Sequence, residues 1–503
     1  MVCLLIVTCL LISVISVIYL YFLRKFSYWK DREVKYIEPS IPLGNLPFQR
    51  RGQFKELFQK FYDAGRGIPF VGGYFSTQPI IVATSLEFVK DVLVKDFNSF
   101  HGRGIYTNEK DDPLSAHLFS LDGSKWRSLR IKLSPTFTSG KMRFMFPTIV
   151  EVSNRFNQAL KEIVEKDNVI DVKDILARFT TDVIGTCAFG LECNSLKDPN
   201  AEFRKYGRLV FEDPLNSIFR RVIMLFPKLA HKLHVIMTRK DVSEFFLGIV
   251  KETIEHREQN DVKRNDFMDM LIELKNNDTL DEDNNVKLEK LTFEQVAAQA
   301  FVFFIAGFET SSTLMMFSLY EMALNPDIQE KARHQINTVL ARHNEKLSYE
   351  AVKEMVYIDQ IVTETLRKYP PLVALRRTAQ NNYEVPDSKI IIEKGTPVII
   401  PVYSIHHDPE YYPNPDKFDP DRFIAEQLKA RHPLSFLGFG DGPRNCIGLR
   451  FGRMQSHVGL ITLLKNYRFE ISARTPIPMV FSIHNPVLSP ADPMYLRIER
   501  LKL

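Results

Sequence analysis

The stretch Phe439-Gly-Asp-Gly-Pro-Arg-Asn-Cys-Ile-Gly-Leu-Arg-Phe-Gly452 decides how this chain is read. One cysteine, Cys446, stands in a bend with Gly438, Gly440 and Gly442 before it and Gly448 after it. Glycines let a bent backbone lie close to a flat partner, and the apolar spacing beyond Gly448 predicts a helix through Leu464. A thiol at a helix N-terminus, beside a fixed cation such as Arg444, falls below its free pKa of roughly 8.5. Cys446 therefore reads as a metal ligand, although an isolated cysteine is more often a small buried hydrophobe. A dinucleotide-binding G-x-G-x-x-G beginning at Gly438 fails, because Pro443 stands where glycine is required.

Taken together, Phe439, Gly442, Arg444, Cys446 and Gly448 resemble the haem-binding loop of the cytochrome P450 family at every defining position. The resemblance implies a haem b cofactor with Cys446 as its proximal iron ligand, Phe439 packed near the sulfur, Arg444 on a haem propionate and Gly448 in the cofactor cradle. Thiolate ligation in that family pushes electron density toward O–O cleavage.

Working outward, Thr292 and Gln295 form a capping-box pattern that opens a nearly apolar helix running to about Leu324. Gln299, Glu309, Thr310, Ser311, Ser312 and Thr313 fall in its middle, which favours a buried central helix over a second membrane span. Ala306 and Gly307 share a face with Thr310 and leave room beside a flat cofactor for a diatomic molecule. The plain alternative is a glycine-softened core helix with hydroxyls bonded to carbonyls one turn back. Ala306-Gly-Phe-Glu-Thr310 also matches the family's oxygen-activation motif, which implies Ala306 beside the cofactor and Glu309 with Thr310 as the catalytic proton-handling pair.

Trp126 and Arg130 lie four residues apart, on one face of a helix, where an indole donor and a guanidinium can hold a carboxylate. In the family this helix serves a propionate, and Arg377, after Pro370-Pro371, occupies the place of a third propionate partner. Glu364 and Arg367, three apart, taken alone are a surface ion pair worth roughly 0–1 kcal/mol. With Arg422 in Pro420-Asp421-Arg422-Phe423 they match the family's Glu-Arg-Arg network, a structural role.

At the other end, Val2 to Leu23 carries 22 residues without a charge, followed by Arg24, Lys25, Lys30 and Arg32. This is the pattern of a membrane anchor, and the positive flank after it places the body of the protein on the cytosolic side. Pro39, Pro42 and Pro47 stiffen the connector that follows. The expected organisation is an anchor over 1–23, a basic, proline-containing connector over 24–47 and one large domain over 48–503. The net charge of +5 over 503 residues offers no support for nucleic-acid binding. Five cysteines form no closely spaced even framework, so Cys187 and Cys193 read as core residues rather than a bridge. With 38 phenylalanines the chain has apolar side chains enough for a large core and a lined pocket.

Short strands are expected at Ile68–Val71 and Pro79–Ala83, flanking Gly72-Gly73 as a hairpin, and at Pro397–Val402. Between a helix start near Ser85 and Lys368 helical periodicity dominates, apart from a polar loop over Asn276–Asn285. The fold class is mainly α with small β-sheets. The resemblance, which covers essentially the whole chain, makes it the cytochrome P450 fold, a single haem domain behind a transmembrane anchor.

The function implied is a monooxygenase of the endoplasmic reticulum membrane, facing the cytosol. It takes electrons from NADPH-cytochrome P450 reductase, with cytochrome b5 as an optional second donor, and puts one oxygen atom from O2 into lipophilic small molecules, xenobiotics or endogenous lipids. Candidate substrate contacts are Ile105, Tyr106, His117 and Phe119 on one loop, Phe301 and Ala306 on the central helix, Val373 and Leu375, and Val487 with Leu488. Lys125, Arg127, Lys132, Arg450 and Arg453 form the expected basic face for an acidic reductase. Ile218–Leu229, which interleaves apolar and basic residues, is expected at the membrane surface. A haem-thiolate isomerase or dehydratase and a non-catalytic haem carrier or gas sensor remain as alternatives. NADPH-dependent turnover separates the first, and a substrate-induced spin-state change excludes the second.

Overall fold

Apolar on every side, the first residues form one helix, α1 (Val2–Phe26), none of whose side chains is buried. The computed structural model describes residues 1–46, 54–212, 223, 227–281, 286–483 and 485–502, and its packing divides them into two units.

The first unit holds 1–104, 373–405 and 441–444. Past α1 the chain does not swing free. Trp29, fully buried, donates its indole N–H to the Gly73 carbonyl at 2.9 Å, and the Tyr74 hydroxyl donates to the Phe26 carbonyl at 2.8 Å. Helix α2 (Phe54–Ala64) presses Phe58, Phe61 and Tyr62 into the same core. Strands β1 (Phe70–Phe75) and β2 (Gln78–Ala83) pair antiparallel with Phe70 opposite Ala83, so the bend falls at Ser76 and Thr77. Gly72 and Gly73 therefore lie inside β1 and not at the turn that the sequence suggested. Their reason is close approach: a Cβ on Gly72 would stand 2.7 Å from the Trp29 ring, and one on Gly73 2.4 Å from Phe61. Strands β3 (Leu375–Thr378) and β4 (Pro397–Ile400) complete the sheet in the order β1-β2-β4-β3, with β4 parallel to β2 and antiparallel to β3.

The second unit holds 105–372, 406–440 and 445–503. Its helices include α3 (Gly123–Leu133), α4 (Ser139–Lys166), α5 (Val172–Ile184), α6 (Phe293–Leu324), α7 (Val356–Lys368) and α8 (Leu449–Asn466). Helix α6 is the central one. Its capping box is complete, with the Thr292 side chain accepting from the Gln295 amide and the Gln295 side chain from the Thr292 amide. It packs on α5, α7 and α8, which answers its membrane-like composition with protein instead of lipid. Phe246, Phe301, Phe304 and Phe308 stack along it, each fully buried ring contributing on the order of 1.5–3 kcal/mol. Tyr467–Ile471, Tyr495–Arg500 and Val169–Asp171 form a three-stranded sheet. The polar stretch read as a loop contains one short strand, Thr279–Asp281, which pairs antiparallel with Val286–Leu288 just beyond it. All five cysteines are free, and burial pushes the Cys187 thiol up to about 12.

Candidate functional site

The cysteine loop is closed on itself and tied down from one side. The Cys446 amide donates to the Phe439 carbonyl at 2.9 Å, which folds the intervening residues into a bulge, while the thiol stays exposed. Gly448 caps α8, so the positive end of that helix begins two residues after the sulfur. Arg130 of α3 donates to the carbonyl and the side-chain oxygen of Asn445 at 3.1 and 2.8 Å, while Trp126, one turn earlier, is buried. Arg453 of α8 stacks its guanidinium over the Phe439 ring at 5.4 Å.

Across α8 lies the middle of α6. Gln455 donates to the Gly307 carbonyl at 3.2 Å, and the carbonyl of Phe308 accepts from Thr180 of α5 at 2.9 Å. In a helix otherwise buried for most of its length, Ala306 is exposed and Thr310 half-buried. The Thr310 hydroxyl donates to the Ala306 carbonyl at 2.7 Å, the local bond of the plain helical reading. Its oxygen retains acceptor capacity. Glu309 points to the other side. Only 5 % exposed, it accepts from Asn485 at 3.1 Å and sits 3.8 Å from the Lys173 ammonium.

Beneath the cysteine loop is a buried polar network. Arg367 grips Glu364 with two bonds of 2.6 and 2.8 Å, neither side chain exposed, and Glu364 also accepts from the Asp419 amide at 2.9 Å. Arg422 approaches the same carboxylate at 3.5 Å. Burial pushes the Glu364 carboxyl up, against the lowering by Arg367. Arg367 further donates to the carbonyls of His406 and Pro415. His406 completes the link: its Nδ1–H donates to the Arg367 carbonyl at 3.0 Å, and its Nε2 accepts from the Leu437 amide at 2.8 Å. Those bonds select the neutral ring, and burial, reinforced by the nearby charges of His407 and Arg367, holds its pKa down to about 3.

The remaining two expected cofactor residues lie in the first unit. Arg444, 3 % exposed, donates to the His101 carbonyl at 2.6 Å. Arg377, 1 % exposed, sits on β3, where the next residue, Thr378, donates its amide to the Gly102 carbonyl at 2.8 Å. Arg444 and the strand that carries Arg377 thus meet the same dipeptide, His101-Gly102, and a buried guanidinium favours a carboxylate partner. Gly442 is needed for this approach, since a Cβ there would stand 1.9 Å from the Leu93 carbonyl oxygen.

The substrate candidates spread over separate segments. Leu118, between His117 and Phe119, donates its amide to Gln299 of α6 at 2.9 Å, and Val487 donates to Asn485, the residue on Glu309. The two loops thus attach to α6 ten residues, or about 15 Å, apart. Phe119 is exposed, while Val487 and Leu488 are buried and Leu488 bonds to Pro371 at 2.9 Å. Phe301 packs edge-to-face on Phe246, and the Tyr106 hydroxyl donates to the Val235 carbonyl at 2.8 Å. Ile105 is half-buried, as are Val373 and Leu375 in the first unit.

Two expectations outside these sites change. Lys132 is not part of an exposed basic face: it is 5 % exposed, its ammonium turned inward onto the Glu289 carbonyl. Lys125 is exposed and paired with Glu109, and Arg453 pairs with Asp359. Most of the stretch Ile218–Leu229 lies outside the described residues, but Ile223 is buried in a cluster with Tyr106 and Ala230. Sequence reasoning missed Asn445, Asn485, Lys173 and His406. Asn445 adjoins the cysteine and was within reach, whereas the other three carry no local signal.

Among the described residues no group of three or more His, Cys, Asp or Glu side chains stands ready for a metal ion. A metal at Cys446 must therefore bring its remaining ligands with it, as a porphyrin does. Within the second unit, an exposed thiol at the start of one helix and a small exposed residue on the helix packed against it are a setting that fits haem.

Comparison with known proteins agrees with this chemistry. Residues 37–498 match the family model described as Cytochrome P450. The chain is 46 % identical over 493 residues to Cytochrome P450 6a8 of Drosophila melanogaster, covering 97 % of each chain. It is 47 % identical over 482 residues to Cytochrome P450 6a9, covering 95 % of each, and 45 % identical over 500 residues to Cytochrome P450 6a2, covering 98 % of this chain and 99 % of the other, both of the same organism. Likeness of that extent takes in the anchor helix and the cysteine loop together, and with it the chain belongs to the cytochrome P450 family, whose defining cofactor is haem b held by an axial cysteine thiolate.

Proposed function

We propose that Cys446 is the axial ligand, with Phe439 packed beside its sulfur and Gly448 admitting the macrocycle close to the start of α8. Trp126, Arg130, Arg377 and Arg444 would meet the carboxylate edges of the haem. Family membership makes the chain a membrane-anchored haem-thiolate monooxygenase acting on lipophilic substrates with O2 and electrons from an NADPH-dependent reductase. The observation that carries the residue assignments is the exposed Cys446 thiol on a loop held by Arg130, at the start of the helix that packs on α6, where Ala306 is exposed.

Haem bound there supplies the centre at which O2 is reduced and one oxygen atom passes to a substrate carbon. Ala306 and Gly307 keep side-chain bulk away from that position. Thr310, whose own hydrogen goes to the Ala306 carbonyl, offers lone pairs that hold a water in place, and Glu309 on the far side takes and returns protons. Asn485 and Lys173 set the direction of its carboxylate. Glu364, Arg367 and Arg422 act structurally, through His406, on the approach to the cysteine loop.

In this reading 1–23 is the anchor, 24–47 the connector and 48–503 one working haem domain. Arg24, Lys25, Lys30 and Arg32 keep it on the cytosolic side of the endoplasmic reticulum membrane. Lys125, Arg127 and Arg450 serve the reductase, with cytochrome b5 as an optional second donor. The candidate substrate contacts named above are mostly apolar, which supports xenobiotics such as plant toxins or insecticides as substrates, with endogenous lipids or hormones as the second class. The test is turnover of the purified chain with reductase and NADPH across such a panel, alongside Soret titration. Tight lipophilic ligands that shift the spin state without NADPH-dependent product would sink the monooxygenase assignment.

A further inference from the structure

At the foot of α1 the first unit holds a cavity of about 740 Å³ that the chemistry above does not use. Its walls are the last turn of α1 with Arg24 and Lys25, the residues just after it, the β1–β2 turn, and the turn Glu393-Lys394-Gly395-Thr396. The charge inside is unbalanced. Of the two acids, Glu393 is taken by Arg32 at 2.5 Å, and Asp31 accepts from the Ser27 hydroxyl at 2.7 Å. Arg24, Lys25 and Lys394 have no acid within ion-pair distance among the described residues. Lys25 lies 5.8 Å over the Tyr21 ring, an arrangement suited to a polar–apolar boundary.

Position identifies what can enter. The charge-free run ahead of Arg24 spans about 33 Å as a helix, the thickness of a bilayer's hydrocarbon core, so the cavity opens at the depth of the lipid headgroups. The cavity is fixed in place, because Trp29 and Tyr74 lock the end of α1 to β1. A phosphate diester brings negative charge to three cations at that depth, and an acidic headgroup outcompetes a zwitterionic one because it carries a net negative charge where the other carries none. We propose that this cavity is a binding site for the headgroup of an anionic phospholipid in the leaflet that faces the folded body. The proposal rests on α1 being a membrane anchor, and it makes lipid composition a determinant of how firmly the first unit is held to the bilayer.

The experiment uses the full chain with haem in nanodiscs of phosphatidylcholine containing a minor fraction of photoactivatable phosphatidylserine. Cross-linked lipid is mapped by peptide mass spectrometry. Lys394 stands outside the anchor, so Lys394→Glu and the milder Lys394→Gln leave the insertion signal intact. The expected result is label on peptides carrying residues 21–32 and 393–396, reduced about fivefold by Lys394→Gln, since one cation near an anionic surface is worth about 1 kcal/mol. Lys394→Glu should reduce it further, with the reduced-CO spectrum unchanged. Equal labelling by photoactivatable phosphatidylcholine, or no loss in either variant, would overturn the proposal. Full displacement of the label by inorganic phosphate would show a free-phosphate site and overturn the lipid assignment. Chain recovered outside the nanodiscs would overturn the anchor reading itself, a result distinct from retained chain without label.

Discussion

In the proposed arrangement the approach to the cysteine loop and the middle of α6 would serve the two faces of the haem, and they are built on opposite principles. Below the loop, Glu364, Arg367 and His406 are fully buried and their polar atoms bond to one another and to backbone carbonyls and amides. On α6, Ala306 is exposed, Thr310 bonds its hydroxyl to a carbonyl of its own helix, and Glu309 rests between one amide and one lysine. A ligand that must hold its position through many turnovers calls for a network in which a lost partner leaves a buried charge behind. A face that must pass protons calls for groups whose partners can be exchanged at small cost. The difference teaches where mutations should destroy the protein and where they should merely spoil its chemistry.

The sharpest break is Cys446→Ser. A neutral alcohol is a poor ligand for ferric iron, so the variant should lack haem or hold it without thiolate ligation. The reduced-CO difference spectrum reads this directly, and a normal thiolate-type band would refute the ligand assignment.

Next in size is Glu364→Gln, which strands the Arg367 guanidinium in a fully buried place. Breaking one partner of a buried pair costs about 3–5 kcal/mol, so holoprotein yield and thermal midpoint should both fall steeply. A midpoint near that of wild type would mean the network does not hold the loop.

The same region should respond to pH. His406 is neutral when folded, with a pKa of about 3 against 6.5 unfolded, so between those values the unfolded chain binds the extra proton. Its contribution is therefore fully present above pH 6.5 and is lost as the pH falls, amounting to about 2 kcal/mol by pH 5. Unfolding free energies from denaturant titrations at pH 7.5 and 5 should reflect that loss in wild type, and His406→Gln should shrink the difference by about that amount.

Thr310→Ala should have the smallest effect on the fold, below about 1 kcal/mol, since it removes one hydroxyl bonded within its own helix. Its effect belongs to the chemistry: less product and more hydrogen peroxide per NADPH consumed. Unchanged coupling would assign proton delivery to another group or to the substrate, and a large loss of stability would erase the contrast drawn above.

The sequence by itself determined the elements whose signals are local. The anchor is a run without charge, α6 is announced by its capping box, and Cys446 is flanked by glycines and arginine in consecutive positions. Most of the candidate cofactor site is therefore legible in the sequence, because its motifs are short and their chemistry is specific. What only the tertiary structure decided involves partners distant along the chain. An i,i+3 pair such as Glu364 and Arg367 looks the same on a surface as in a core, and only the packing of the 406–422 segment over it makes it buried. His406 is held by a carbonyl 39 residues before it and an amide 31 residues after it, a relation no periodicity reveals. Gly72 and Gly73 read as a turn until Trp29 and Phe61 are seen against them, and Lys132 reads as surface until its ammonium is found on the Glu289 carbonyl. Local free energies choose a helix, a turn or a loop residue by residue, whereas burial is set by what the rest of the chain brings to that place.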